Sequence, residues 1–244
     1  MARLLLVAFL SAVFSIHSFA LESRITGKIR STDPEAEKPE YTYERVVTDV
    51  NGHKEVKASY KNLAGKELVT EWVSYNSKGK VKSYRMLHHQ IGEDGTVEFK
   101  NGKLEFTLKK KDGTVEHETE DQSEHSSVID EMVTQIYNKW TDIIEKEEDL
   151  DMDLAIISRK DTVGIKIFKD EEIEYEGKKA YLLKMKPRSF IIAMFVKPMY
   201  FVFEKGGDHR PLEIRGRLPI KHFSDPKNNP DDYNDILGNL KLEY

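Results

Sequence analysis

The sequence predicts a mainly β (α+β) protein in which one long, curled antiparallel sheet, a half-barrel, wraps around one long amphipathic helix. Three observations predict this fold. Strand-like segments with alternating apolar residues recur at short intervals, tight-turn dipeptides separate them, and one segment in the middle of the chain has helical periodicity. A long sheet curls because its strands twist relative to one another, and a helix with a wide apolar face can fill the concave side.

A closed barrel with the helix packed outside it, as in lipocalin-type carriers, is an alternative that fits the same elements. Lipocalin-type sequences begin with a Gly-x-Trp motif, whereas Trp72 here follows Thr70 and Glu71. This difference favours the half-barrel.

The first twenty residues have the pattern of a cleaved secretory signal peptide. Arg3 supplies a positive start, residues 4–16 carry no charge, and Ser18 and Ala20 place small residues at the positions that a signal peptidase recognises. The apolar run is too short to span a bilayer, which takes about 20 apolar residues. We therefore expect cleavage after Ala20, a periplasmic location and a mature chain that does not span the membrane.

The composition argues against several functional classes. The chain has 43 acidic and 38 basic residues, a formal net charge of −5, and no concentrated run of basic residues of the kind that nucleic-acid binding needs. It has no cysteine, so it lacks disulfides, a thiol nucleophile and the lipid-carrying cysteine of bacterial lipoproteins. An exported chain without cross-links is more usual in the bacterial periplasm than among eukaryotic secreted proteins.

The rest of the chain is predicted to form an N-terminal arm and a single half-barrel domain. Residues 21–40 are charged, contain Pro34 and Pro39 and lack apolar periodicity, so we expect a flexible arm. The domain is predicted to cover residues 41–244.

Residues 41–119 are predicted to form an antiparallel meander. Asn51-Gly52 and Asn101-Gly102 are favoured two-residue hairpin turns, because both central positions need positive φ. Between the turns, apolar and polar residues alternate as they do in half-buried strands. The apolar residues of one such strand are Leu104, Phe106 and Leu108.

The helix is predicted at about residues 127–148. Ser127 and Asp130 form a capping pair, and the apolar residues that follow lie within about half of the helix circumference. A face this wide needs a large cover, and the sheet is the only large surface available. Acidic residues at 145–149 oppose the helix dipole, so we expect the last turn to fray.

Strands are predicted to resume at about Leu154 and to continue to the C-terminus. Residues 190–203 differ from the other strands because apolar side chains occupy both faces, and residues 190–196 are interpreted as a buried strand. Two explanations stay open for this segment. It is either a central strand pair covered by protein, or a hydrophobic groove that suits acyl chains, with Lys184, Lys186, Arg188 and Lys197 near enough to meet an anionic head group.

No motif predicts catalysis, a cofactor or a metal site. The sequence has no Gly-x-Ser-x-Gly, no phosphate-binding glycine loop, no His-Glu-x-x-His and no dinucleotide fingerprint. His88 and His89 are neighbours on a predicted strand, so they point to opposite faces and cannot chelate one ion. Residues 149–160 resemble the start of a calcium loop but lack its glycine and its final glutamate. We therefore predict no catalytic residue, cofactor or metal ligand.

The order of elements resembles a family of uncharacterised bacterial periplasmic proteins with a half-barrel architecture. The resemblance rests on the helix around Trp140, the Tyr175-Glu176-Gly177-Lys178 turn and residues 208–214, where a charged turn enters a strand through Arg-Pro-Leu. More distantly, the architecture is similar to periplasmic carriers that ferry lipoproteins between membranes. This resemblance implies acyl chains held between a curved sheet and helices, and it brings no catalytic residues.

These observations predict a non-enzymatic periplasmic protein that binds or carries a lipid-like ligand, such as an acyl chain, in envelope maintenance. The candidate ligand-binding residues are Trp140, Ile136, Met132, Phe190, Ile192, Met194 and Phe201. The alternative is a structural or adaptor protein of the envelope that has a filled core and recruits another envelope protein through an exposed sheet edge. An accessible apolar cavity would favour the first hypothesis, and a fully packed interior the second.

Overall fold

A computed structural model describes residues 24–32, 40–225 and 229–244, and the predicted signal peptide lies outside these ranges. The described residues form fifteen strands and three short helices. The strands are β1 (Arg24–Ser31), β2 (Glu40–Val50), β3 (His53–Asn62), β4 (Glu67–Tyr75), β5 (Val81–His88), β6 (Glu93–Lys100), β7 (Lys103–Lys109), β8 (Val115–Asp121), β9 (Ser126–Ser127), β10 (Leu150–Ile156), β11 (Asp161–Tyr175), β12 (Lys178–Pro187), β13 (Met199–Glu204), β14 (Pro211–Asp225) and β15 (Asn229–Glu243). The helices are α1 (Glu131–Asn138), α2 (Trp140–Ile144) and α3 (Phe190–Phe195).

All fifteen strands belong to one sheet, so the prediction of a mainly β protein with one long sheet is confirmed. The chain starts in the middle of the sheet at β1 and proceeds strand by strand to one edge at β8. It then crosses to the other edge at β9 and returns through β10 to β15, which pairs with β1. Neighbouring strands are antiparallel, except that the two-residue β9 is parallel to β10.

Side chains connect the edge strand β8 to β11 and to the turn before β11, near the other edge of the sheet, which is not closed within the described residues. The backbone N–H of Thr162 in β11 donates a hydrogen bond to a Glu120 carboxylate oxygen in β8 at 3.0 Å. Lys160 Nζ lies 2.6 Å from Glu116 Oε2 of β8. The sheet therefore curls until β8 lies beside β11, but within the described residues no backbone ladder joins these two strands, which supports a half-barrel over the closed barrel.

A second set of contacts crosses the concave side, from the end of β5 to β14. Gln90 exchanges two hydrogen bonds with the backbone of Lys221, at 2.9 and 2.8 Å. The buried His88 donates from Nε2 to the carbonyl oxygen of Pro219 at 2.7 Å. Because burial lowers the pKa of His88 to about 4, this imidazole is neutral at neutral pH.

The described residues form three apolar clusters on the concave face and a fourth, smaller one on the other face of β12 and β13. One joins β10–β13 to α1 and α2, the second lies under β3–β7, and the third lies under β1, β14 and β15 with parts of β3 and β4. The predicted alternation in β7 is confirmed, since Leu104, Phe106 and Leu108 are all buried in the second cluster.

The two Asn-Gly hairpin turns are also confirmed. The backbone φ angle is +54° at Asn51 and +78° at Gly52, and it is +53° at Asn101 and +73° at Gly102. Both central residues of each turn therefore have the left-handed conformation that a two-residue hairpin turn requires.

The flexible arm predicted over residues 21–40 is wrong for Arg24–Ser31, which forms β1 between β2 and β15. Ile25 and Ile29 of β1 are almost completely buried. Gly27 lies between them on the inward face, where a Cβ atom would stand 2.6 Å from the Leu240 side chain. Because this inward position is a glycine, the apolar alternation of the strand is hidden in the sequence.

The single long helix predicted over residues 127–148 is wrong, because two short helices occupy this region. Lys139 separates them with φ −112° and ψ 18°, which is outside helical geometry. The predicted capping pair does not form. Ser127 belongs to β9, and no side chain caps the first turn of α1, whose N-cap residue is Asp130.

The buried strand predicted over residues 190–196 is also wrong. This segment contains α3, whose side chains are largely exposed. A short apolar run cannot be assigned to helix or strand from periodicity alone, and Ser189 supplies an N-cap in which its Oγ accepts from the Ile192 N–H at 3.4 Å. Among the described residues, no helix has the length and apolar character needed to cross a bilayer.

The position of β1 makes a prediction about stability. Ile29→Ala should lower the free energy of unfolding by about 2 to 5 kcal/mol, because it removes a fully buried side chain. Lys28→Ala, an exposed neighbour on the same strand, is the matched control and should change it by less than about 0.5 kcal/mol. Urea denaturation measures both values, and equal small effects would indicate that Arg24–Ser31 is a loose arm after all.

Candidate functional site

Arg45 and Glu71 are buried charged residues on the inward face of the sheet. Arg45 of β2, Ala58 of β3 and Glu71 of β4 are register partners and form one row across the three strands. All three residues are buried. The small side chain of Ala58 stands between Arg45 and Glu71 in this row.

Asp130, the residue before α1, forms a bidentate ion pair with Arg45. The Arg45 Nε and Nη2 atoms donate to the two carboxylate oxygens at 2.8 and 3.0 Å. The side chains of both residues are more than nine-tenths buried. A bidentate contact of this kind fixes orientation as well as distance, so it sets how the start of α1 sits on the sheet.

Glu71 is the other buried charged residue of the row. Its carboxylate accepts a hydrogen bond from the Tyr84 hydroxyl at 2.7 Å, and the Tyr60 hydroxyl lies 3.5 Å from its other oxygen. Burial raises the pKa of Glu71 to about 7, and the charge of Asp130 adds to the rise while the tyrosine hydrogen bonds oppose it. This carboxyl group can therefore gain or lose a proton near neutral pH.

A cavity of about 70 Å³ lies between the start of α1 and the sheet, next to these charges. Most of its lining is apolar and includes Met132 and Val133 from α1, Phe201 from β13 and Leu240 from β15. Arg45, Glu71 and Asp130 also line it. The site therefore combines an apolar wall with buried charged groups, and its volume suffices for only a few water molecules.

An aromatic cluster fixes the other end of α1. The ring of Trp140 stacks on His209, with centroids 4.5 Å apart, and also contacts Phe203 and Tyr181. Tyr137 donates from its hydroxyl to the carbonyl oxygen of His209 at 2.8 Å. The junction of α1 and α2 is thereby fastened to the turn between β13 and β14.

The structure brings four of the seven predicted ligand-binding residues together. Met132, Ile136 and Phe201 belong to one core cluster, and Trp140 packs against it. Of these four, Met132 and Phe201 line the cavity. The other three, Phe190, Ile192 and Met194, lie on α3 and are not part of this cluster.

The charged residues of the site were missed because isolated charges in strands are usually solvent-exposed. The alternation of each strand does contain the signal. Glu71 stands two residues from Val69 and from Val73, so period two places it on the buried face. Arg45 stands in the same way between Tyr43 and Val47.

Comparisons with known proteins give structural neighbours only. No protein-family model matches the sequence, and no curated protein sequence does. The fold is similar to that of a β-barrel-like protein of the domain of unknown function DUF1849 from Brucella abortus, with a TM-score of 0.48 and 9% identity over 90% of this chain and 96% of that one.

Two further neighbours have lower TM-scores. A domain described as an outer membrane lipoprotein-sorting protein domain, from Vibrio parahaemolyticus, matches with a TM-score of 0.28 and 8% identity, over 91% of this chain and 83% of that one. Rv2717c from M. tuberculosis matches with a TM-score of 0.27 and 11% identity, over 93% and 94%. The neighbours include both kinds of protein that the sequence resemblance named. At these values they carry no information on function.

The raised pKa of Glu71 predicts a specific pH dependence of stability. Between the ordinary glutamate pKa of 4.5 and about 7 the folded protein keeps a proton that the unfolded chain releases, so stability falls as the pH rises through this window. Glu71→Gln should abolish this pH-dependent part of the unfolding free energy, which amounts to about 3 kcal/mol. Urea denaturation from pH 4 to 8 measures it. Glu98→Gln, at an exposed position of β6, is the control and should keep the slope of the wild type.

The ion pair at the start of α1 predicts strong coupling between its partners. Arg45→Met alone should cost about 3 to 5 kcal/mol of unfolding free energy, because it leaves Asp130 buried without its partner. Arg45→Met/Asp130→Leu should recover much of that loss. The exposed bidentate pair Arg85–Asp94 is the control, and Arg85→Met should cost at most about 1 kcal/mol. If Arg45→Met and Arg85→Met cost the same unfolding free energy, the burial assigned to the Arg45–Asp130 pair would be contradicted.

Proposed function

We propose that the protein is a non-enzymatic binding protein of the bacterial periplasm that holds or carries a lipid-like amphiphile in envelope maintenance. The observation that carries the proposal is the apolar cavity with charged groups buried in its wall. An amphiphile presents the complementary pair of surfaces, an apolar tail and a polar head. In this proposal the tail lies along Met132 and Phe201, and the head faces Arg45 and Glu71.

The charged groups in the cavity wall favour a ligand whose head group can accept or exchange hydrogen bonds. Arg45 offers a guanidinium, and Glu71 offers a carboxyl group that is close to half-protonated at neutral pH. Both stand on a rigid sheet in one register row. A site that is organised before binding loses less entropy when the ligand arrives.

The volume of the cavity requires that α1 moves when an acyl chain enters. The cavity of about 70 Å³ is smaller than any long acyl chain. Side-chain contacts attach α1 to the sheet, namely the Arg45–Asp130 pair, the Tyr137–His209 hydrogen bond and apolar packing. These contacts can break without disturbing the strand ladder, so α1 can serve as a plug that the ligand displaces.

The small cavity also favours a second candidate function, an envelope adaptor with a filled core and a protein partner. In that case the interior contributes only stability, and the ligand-free form is the working form. The two candidates differ in one observable, which is whether the protein has a lipid bound when it is isolated from the cell.

Native mass spectrometry distinguishes them. The protein is purified without detergent from the periplasm of its own host, and the spectrum is followed by solvent extraction and lipid identification. A discrete added mass that extracts as a lipid is the expected result, on a chain that begins at Leu21. A clean apo mass would support the adaptor, and a chain that retains residues 1–20 would contradict the cleaved signal peptide.

Trp140 provides a test of the plug. Trp140→Ala removes the stack on His209 that fastens α1, so α1 should be displaced more easily and the affinity for a fluorescent long-chain fatty acid should rise about threefold or more. The free energy of unfolding should fall by about 3 kcal/mol, because a large packed side chain is removed. Val97→Ala, a buried change away from the cavity, is the control and should lower stability without changing the affinity. A loss of stability with no rise in affinity would assign Trp140 a purely structural role.

A further inference from the structure

The helix α3 presents apolar side chains to solvent. Phe190 and Phe195 are each 78% exposed, Ile191 is 67% exposed and Met194 is 59% exposed. These four side chains share one side of the helix, which we term the apolar face of α3, whereas Ile192 is half-buried. A contiguous exposed apolar patch of this kind marks an interaction site.

The apolar face of α3 is held in a defined position. The backbone N–H of Arg188 donates to the carbonyl oxygen of Gly164 in β11 at 2.8 Å, which anchors the chain just before the helix. Ser189 then caps the first turn by accepting from the Ile192 N–H. The fold therefore presents these apolar side chains in a ready conformation, which lowers the entropic cost of docking.

The chain around α3 is basic although the protein is acidic overall. Residues 177–203 contain six lysines and arginines and no acidic residue, against a net charge of −5 for the whole sequence. Three of these six form ion pairs, namely Lys178 with Glu204, Lys184 with Asp170 and Arg188 with Asp153. Lys186 lies over the Phe168 ring, and within the described ranges neither Lys186 nor Lys197, which flank α3, forms an ion pair with a carboxylate. The charges of these two lysines are therefore not neutralised by a carboxylate.

An apolar helix turn flanked by lysines that have no carboxylate partner among the described residues suits a lipid surface better than a protein partner. A stable protein interface takes about 20 to 30 residues on each side, whereas the apolar face of α3 supplies four. An interfacial helix binds a bilayer through buried apolar side chains together with electrostatic attraction to anionic lipids.

We propose that α3 is a membrane-contact element through which the protein docks on an anionic lipid surface. Phe190 and Phe195 enter the interfacial layer, and Lys186 and Lys197 meet the lipid phosphates. This docking stands on α3 alone and does not need the cavity to hold a ligand. The two features are nevertheless close in the chain, because α3 leads into β13, whose first residue, Met199, lines the cavity.

Vesicle co-sedimentation tests the proposal. The mature protein, purified from the periplasm, is mixed with vesicles of phosphatidylcholine alone or of phosphatidylcholine with phosphatidylglycerol. We expect partitioning to the vesicles that contain phosphatidylglycerol. Phe190→Ser/Phe195→Ser should reduce the partition coefficient about tenfold or more. Lys197→Glu should weaken binding to these anionic vesicles while leaving any binding to pure phosphatidylcholine unchanged.

The control is Leu63→Ser/Val115→Ser, which replaces two exposed apolar side chains outside α3. It should bind within twofold of the wild type, and far-UV circular dichroism checks that each variant is folded. A wild-type protein that does not sediment with anionic vesicles would overturn the proposal. So would equal losses in the two double variants, or a dimer in solution that shields α3.

A second variant reports insertion directly. Phe195→Trp places a fluorophore on the apolar face of α3, and its emission should shift to the blue on anionic vesicles and be quenched by brominated lipid. Wild-type protein gives the background from Trp72 and Trp140. The difference in emission between Phe195→Trp and the wild type should change when vesicles are added. If it does not change, α3 stays in water and the proposal is overturned.

Discussion

The buried ion pair between Arg45 and Asp130 determines how the interior is arranged. Two charges enclosed by apolar side chains stay paired as long as no other group replaces either partner, because an uncompensated buried charge costs several kcal/mol. The pair therefore gives the start of α1 one position on the sheet. The small cavity between Met132 and Phe201, and the charged groups in its wall, follow from that position.

Much of the sheet could be predicted from the sequence, because half-buried strands alternate with period two and Asn-Gly turns have strict backbone requirements. The strand Lys103–Lys109 follows both rules. The predictions failed where an inward position breaks the apolar pattern. Gly27 hid a central strand, and the charges of Arg45 and Glu71 hid the polar part of the site. No local rule could reveal that Glu71 lies near Asp130, since their proximity depends on the curl of the sheet.

The helical region shows a different limit. Its apolar periodicity correctly indicated Met132 and Ile136 as buried helical residues, but periodicity did not reveal the break at Lys139. In residues 190–196 the composition suggested burial, whereas α3 leaves its phenylalanines in solvent. Hydrophobicity predicts that a side chain avoids water. It does not say whether the cover comes from the same chain or from another surface, and this is why the exposed helix was interpreted as a strand.

The pairing of β1 with β15 has a consequence for the order of folding. These two strands come from opposite ends of the described chain, yet they form the middle of the sheet. The hairpins on either side are local and can form early, but the seam between them closes only after more than 200 residues of chain have been synthesised. Contacts between such distant segments slow folding, because the intervening chain must lose its entropy first. Until that seam closes, β1 exposes an unpaired edge that is open to pairing with another chain.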